Sequence, residues 1–301
     1  DIVLRAADNQ PDDYPTVQGL YFMADYLEAA TDGRITLEVF SGGQLGDERS
    51  TIEQVQLGVI DMVRTSTSPV GEFYAPMGVF SLPYIFRGET HMWKVVNGPI
   101  GRELLDGLQE ANLVGLAYYD SGSRNFYTTD TPVRSVADLS GLRIRTQQSQ
   151  VVLDMMEALG AEPVPLAFEE VYSSLQTGVI DGAENNFPSY GPSGVRHYEV
   201  APYFTLDGHA RVPEVVMMSK STWDGLDPAD QMLIREAALA SVTVQAALWD
   251  DLSNESRDAV VEAGSEIITV DVSEFQDAMG PVYEEYGGAY GDLVDRILAT
   301  E

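Results

Sequence analysis

A chain of 301 residues with 44% hydrophobic content has enough apolar material for a sizeable core and for two lobes. Zero cysteines exclude disulfides, thiol catalysis and thiolate metal sites, and no run approaches the roughly 18 apolar residues of a membrane span. The 48 acidic and 17 basic residues leave a net charge of -31, a field that repels nucleic acid and anionic membrane surfaces, so neither is expected as a partner. An anionic ligand therefore needs a local positive site, and salt screening beyond about 8 to 10 Å lets a buried arginine dominate nearby.

Strand-like and helix-like segments alternate along the chain, which predicts an α/β protein. Asp1 directly precedes the strand-like Ile2-Val3-Leu4, as expected of an exported chain whose signal peptide has been removed. Residues 2–6 read as a strand. Pro15 suits the first turn of a helix with the face Val17, Leu20, Tyr21, Ala24 and Leu27, ending near Gly33. A strand over 35–40 follows, then the turn Ser41-Gly42-Gly43 and a helix over about 47–57. Gly58 reads as its left-handed stop, and 59–63 as the next strand.

The second half repeats this grammar. After a strand over 113–119 and a short one over 142–145, Ser149 reads as the cap of a helix carrying Val152, Met155, Met156 and Leu159. A helix over about 168–177 stops at Gly178, where the next strand is expected to begin. The segments Gln56-Leu57-Gly58-Val59-Ile60-Asp61 and Gln176-Thr177-Gly178-Val179-Ile180-Asp181 agree at five of six positions, 120 residues apart. A shared helix-stop-strand device in two related lobes explains that agreement. Asp227-Pro228 opens a helix that no proline interrupts through 264, long enough to brace both lobes. A strand over 267–270 and a helical region from Ser273 finish the chain.

Catalytic and cofactor motifs are missing. No phosphate loop, no Gly-x-Gly-x-x-Gly after a strand and no Gly-x-Ser-x-Gly elbow occurs, and His91, His197 and His209 lack zinc spacing. The reading is accordingly a binding protein, not an enzyme, with no cofactor and no metal. By spacing alone Arg145 is a surface arginine in an ion pair, Arg124 a hinge-surface residue and Asn185 a turn residue.

Three stretches change that reading: Gly141-Leu142-Arg143-Ile144-Arg145, Glu169-Glu170-Val171-Tyr172 with Leu175 through Gly182, and Glu184-Asn185-Asn186. They resemble the solute-binding proteins of TRAP transporters, the tripartite ATP-independent periplasmic family also called the DctP type. Further detail is similar to hexuronate-binding members: Asp13-Tyr14-Pro15-Thr16-Val17, Gln147-Gln148-Ser149 and Asn186-Phe187-Pro188-Ser189-Tyr190. Thr146 and the segment Pro192-Ser193-Gly194 depart from the family's pattern.

The resemblance implies a two-lobed periplasmic binding protein-like fold with a long helix bridging the lobes. Lobe I is expected over 1–122 plus about 206–250, lobe II over about 123–205 plus 251–301, with the ligand cleft between them. Arg145 would clamp a carboxylate through two parallel bonds, and Arg124 would meet the acid or its hydroxyls. Asn185 and Asn9 would read hydroxyls, Asp47 and Glu72 would accept from them, and Phe168 would cover the ligand. Tyr14 is placed to stack on a sugar face.

The implied ligand is a sugar acid, first a hexuronate such as D-glucuronate or D-galacturonate. The alternatives are a four-carbon dicarboxylate, an aldonate or sialic acid. The implied partners are membrane subunits of a TRAP transporter, with the binding protein itself a monomer. An extracellular carbohydrate-active enzyme with paired carboxylates and an ABC-type binding protein are the rival readings.

Overall fold

The computed structural model describes residues 1–301. Two sheets form, one per lobe. The first contains β1 (Ile2–Ala7), β2 (Ile35–Phe40), β3 (Met62–Ser66), β4 (Leu113–Tyr119) and β10 (Glu214–Ser219). The second contains β5 (Arg124–Thr128), β6 (Arg143–Thr146), β7 (Glu162–Pro165), β8 (Gly182–Asn185), β9 (Tyr203–Ala210) and β11 (Glu266–Thr269). Their orders are β2-β1-β3-β10-β4 and β11-β9-β5-β8-β6-β7. In the first, β1 is parallel to β2 and β3, while β10 runs antiparallel to β3 and β4. In the second, β5 is antiparallel to β8 and β9, and β6 is parallel to β7 and β8. This mixed α/β architecture is the expected fold class.

The inner strands β3, β5, β8 and β10, and the edge strand β4, are buried along their whole length. The charged residues buried on them, Arg64, Arg124, Glu184 and Glu214, need partners or a function.

Two strand starts differ from expectation in the same way. After Gly58 and Gly178, at φ +71° and +75°, the chain does not enter a strand at once. The backbone N–H groups of Val59 and Val179 turn back onto Gln54 O and Ser174 O, and pairing begins only at Met62 and Gly182.

The helix Pro228–Glu262 spans 35 residues, about 52 Å, and touches both lobes. Ile234, Ala237 and Ala238 join the core of the first sheet, while Val260 joins the core of the second. Midway, buried Gln245 accepts from Asp120 N at 3.0 Å and donates to Asp120 O at 2.9 Å, gripping the crossing from β4 to β5. The return crossing, after β9, is tied to the first where Arg211 Nη2 donates to Asp120 Oδ2 at 3.0 Å.

Two boundary details differ from the expected division. β9 stays in the second sheet through Ala210, because Arg124 pairs with Ala210 there, so residues 206–210 pair with lobe II. The last helix, Leu293–Ala299, lies on the first lobe. Its Ile297 O meets His91 Nε2 at 2.8 Å, Leu298 O accepts from Arg87 Nη1 at 2.9 Å, and Arg296 pairs with Glu103 at 2.7 Å. Of these, the Arg87 bond supplies a donor to Leu298 O, a carbonyl at the open end of the helix.

Candidate functional site

The two lobes meet where several strand ends converge. The segment after β1 brings Asn9 and Gln10, β3 brings Arg64, and the first residue of β10 is Glu214. From the other lobe come Arg124 at the start of β5, Arg145 on β6, Asn185 at the end of β8, and Gln147 and Phe168. Together they line a narrow interlobe cleft whose free space, its open mouth included, is about 300 Å³. Sites of this kind sit outside strand ends and between domains.

Arg145 is the exceptional residue. It is 3% exposed, and its only protein hydrogen bond runs from Nε to Leu166 O at 3.1 Å. Every ion pair of the chain involves other cations, so its charge is buried without a counter-ion. Burial, then the repulsion of Arg124, lowers its pKa. The Phe168 ring lies under the guanidinium, 5.8 Å from its carbon, and gives partial compensation. Behind Phe168, His197 bonds Tyr127 OH at 2.6 Å, and burial with the Arg145 charge pushes its imidazole down to about 3. It is therefore neutral and adds no competing charge.

The other two arginines are already occupied. Arg124 holds Glu184 in a fork, Nε to Oε2 at 2.6 Å and Nη2 to Oε1 at 2.8 Å. Glu184 also meets His209 Nε2 at 2.9 Å, and His209 Nδ1 meets Asp207 at 2.7 Å. Burial alone would raise the Glu184 carboxyl, but Arg124 and His209 outweigh it and hold the group at about 2. Burial likewise opposes the charge of His209, yet Asp207 and Glu184 lift its imidazole to about 9. This chain is a neutralised brace behind the cavity wall.

Arg64 is 2% exposed and faces three carboxylates. It forks onto Asp8, donates from Nη1 to Glu214 at 2.6 Å, and stands 3.6 Å from Glu48. Its Nη2 also donates to Asn9 Oδ1 at 2.9 Å. Glu48 lines the cavity and accepts from Ser66 N at 2.8 Å. Burial and then the charge of Glu214 push its carboxyl up to about 7, against the pull of Arg64, the Ser66 N–H and Arg145.

Of the residues expected at the site, Arg145, Arg124, Asn185, Asn9 and Phe168 come together on the cavity. Tyr14 stands one layer behind. Its hydroxyl bonds Ser189 at 2.8 Å and its ring packs edge-on to Trp249, so it supports the wall and stacks on no ligand face. Asp47 is turned away, because its carboxylate accepts from Ser50 N at 2.7 Å and caps the helix Glu48–Gln56. Glu72 is exposed, and its Oε1 accepts from Gln150 N at 2.8 Å across the cleft. Ser149, expected to cap the helix Gln150–Ala158, makes no side-chain capping bond.

Arg64, Glu48, Glu214, Gln10 and Gln147 are cavity residues that the sequence reading passed over. Arg64 had a usable signal. It lies 120 residues before Glu184, the spacing of the repeated helix-stop device, so the repeat pairs the two. Elsewhere, Glu89, Asp120 and Asp250 approach one another closely enough to suit a cation. Arg211 already supplies positive charge there, 3.0 Å from Asp120 and 3.7 Å from Glu89.

This geometry matches known proteins over the whole chain. The model of bacterial extracellular solute-binding protein family 7, DctP, matches residues 6–288. The chain belongs to the DctP family.

A solute-binding protein of Chromohalobacter salexigens is 38% identical over 284 residues, covering 94% of this chain and 84% of that one. A TRAP periplasmic solute-binding protein from a Bradyrhizobium species, solved with galacturonate, is 47% identical with a TM-score of 0.96, covering 99% of both chains. One from Pseudomonas putida, solved with D-glucuronate, is 43% identical with a TM-score of 0.96, covering 100% of this chain and 98% of that one. The DctP family reading accounts for the two lobes, the bridging helix and the cavity between them. No helix is long and apolar enough to cross a membrane.

Proposed function

We propose that this DctP-family protein is a periplasmic carrier that captures a sugar acid, a hexuronate such as D-glucuronate or D-galacturonate. It then delivers the acid to the membrane subunits of a TRAP transporter. The carrying observation is Arg145, a buried cation without a counter-ion at the cavity wall. A ligand carboxylate supplies the missing charge and accepts two parallel bonds from the guanidinium. Arg124 keeps Nη1 free of protein hydrogen bonds while Glu184 fixes the rest of its fork, so it can reach the same acid or a neighbouring hydroxyl.

The rest of the cavity suits hydroxyls. Gln10 Oε1 and Gln147 Oε1 are buried acceptors with no protein donor, and both residues line the space with Asn9, Asn185 and Glu214. A polyhydroxylated acid satisfies these groups, and each unmade bond to a buried group costs about 1–3 kcal/mol. The related proteins solved with galacturonate and D-glucuronate support the same ligand class. The protein acts as a monomer and turns nothing over.

A thermal-shift panel tests the reading. D-glucuronate or D-galacturonate at 100 times its dissociation constant should stabilise the fold by about 2.7 kcal/mol. Succinate should shift the melting temperature far less, because it lacks hydroxyls and brings its second charge to Glu48 and Glu214. Neutral glucose should fail because it leaves Arg145 unpaired. Tight succinate binding would replace the uronate by a dicarboxylate, and a panel without any responding acid would remove the carrier role.

A further inference from the structure

We propose that capture of the acid draws a proton into the cavity, and that Glu48 is the group that takes it. The inference rests on the carrier reading above and adds to it a coupling between ligand and proton. It follows from the charges that meet in one narrow, largely buried space.

Buried or nearly buried around the cavity are four cations, Arg64, Arg124, Arg145 and protonated His209, and five carboxylates, Asp8, Glu48, Glu184, Asp207 and Glu214; Glu169, also near Arg145, is exposed to solvent. Arg124 is spent on Glu184, and His209 lies between Glu184 and Asp207. Arg64 is one charge shared by Asp8, Glu214 and Glu48. A ligand carboxylate becomes a sixth anion in a site with Arg145 at 3% exposure, where water cannot offset the surplus.

Glu48 is the weakest-held of the five. Asp8 takes two bonds from Arg64 and Glu214 one at 2.6 Å, whereas Glu48 stands 3.6 Å from the same guanidinium. The only hydrogen bond to its carboxylate is from Ser66 N. The groups that face it from packed elements are Arg64 on β3, Glu214 on β10 and, across the cavity, Arg145 on β6. The short helix Thr67–Val70, also beside it, contributes no charge. With the carboxyl already pushed up to about 7, the positive charge of Arg145 across the cavity helps keep it ionised. A ligand carboxylate on Arg145 cancels that attraction, and Glu48 then binds a proton.

The sign is fixed by linkage. The closed, liganded protein holds more protons than the open protein, so affinity falls as pH rises through the Glu48 range. The slope approaches about one decade per pH unit where a full proton is taken up. Below that range, and above about pH 4 where the ligand acid stays ionised, affinity is level.

Titration calorimetry of the whole protein with D-galacturonate and D-glucuronate at pH 8, in PIPES, HEPES and Tris, reads the proton directly. The observed heat should vary with buffer ionisation heat, with a slope that gives net proton uptake on binding. Glu48→Gln should take up none and lose the pH dependence between 6 and 8, whatever its affinity. Glu214→Gln removes the neighbouring charge, so its uptake should move to lower pH and be small at pH 8. Measurable binding with a buffer-independent heat overturns the coupling and leaves the carrier role standing. Uptake that survives in Glu48→Gln, or is unchanged in Glu214→Gln, overturns the assignment to Glu48. No heat from either uronate at any pH defeats the ligand reading, and the coupling with it.

Discussion

Arg145 combines two features that seldom coexist: deep burial and no counter-ion. Leu166 O and the Phe168 ring only partly replace water around it. Much of the affinity for an acid therefore resides in this one side chain, because the carboxylate relieves a cost present before binding. Removing one partner of a buried pair typically costs about 3–5 kcal/mol, roughly two to four decades in affinity. Arg145→Ala should fold and lose that much, and Arg145→Lys should also bind poorly because a point charge cannot make both bonds. A loss of less than threefold in calorimetry would remove Arg145 from the clamp.

The neighbouring brace gives a pH signature independent of ligand. His209 is lifted to about 9, so its stabilising contribution is full below the unfolded value near 6.5 and disappears as pH rises through 9. Glu184, held at about 2, contributes above about 4.3 and loses that contribution as pH falls through 2. Both shifts share the 2.9 Å contact between the two residues, so their contributions are not added. Melting temperature should drop between pH 6.5 and 9.5 in the wild type, with a shallower drop in His209→Gln. Parallel curves would place the alkaline sensitivity elsewhere.

At the scale of elements, the helix Gln150–Ala158 is capped from the opposite lobe. Glu72 Oε1 takes the Gln150 N–H at 2.8 Å, a bond that exists only while the lobes are together. Caps are worth about 0.5–2 kcal/mol, so Glu72→Ala should release ligand about 2- to 30-fold faster. Its association rate and unliganded melting temperature should change little, and an unchanged release rate in stopped flow would show that the contact does not hold the cleft.

Sequence alone could not show this cap, because donor and acceptor lie 78 positions apart and no local pattern links them. Alternation of strands and helices, the glycine stops and the uninterrupted helix after Pro228 were legible, since each is written in local periodicity. Strand starts after Gly58 and Gly178 were read three residues early, because the turn that follows each glycine is as apolar as a strand. That shift hid Arg64, which fell just past the expected strand and is in fact within β3. Asp47 and Glu48 show the resolution limit. Two adjacent acids at a helix start read alike, and only folding shows that one caps the helix while the other lines the cavity.

For the molecule as a whole, the cleft is too narrow, and its arginines too deeply buried, for a sugar acid to enter a rigid structure. Arg64, Arg124 and Arg145 are each at most 4% exposed, so binding requires the lobes to part and close again. The connections restrict how they do so. The crossings around Asp120 and Arg211 lie together, and Gln245 on the long helix holds Asp120 from behind. Motion should therefore be a rotation about that clamped region, with the first-lobe half of the helix moving with β4 and its far end following Val260. The net charge of -31 favours separation of the lobes when the cleft is empty, and a bound acid favours closure by linking Arg145 to the opposite wall. Small-angle scattering should record a smaller radius of gyration with saturating uronate than without, and the difference should persist in about 0.5 M salt, where surface repulsion is screened. Identical profiles at verified saturation would mean that the cleft does not open in solution and that the acid enters by local movement of the wall.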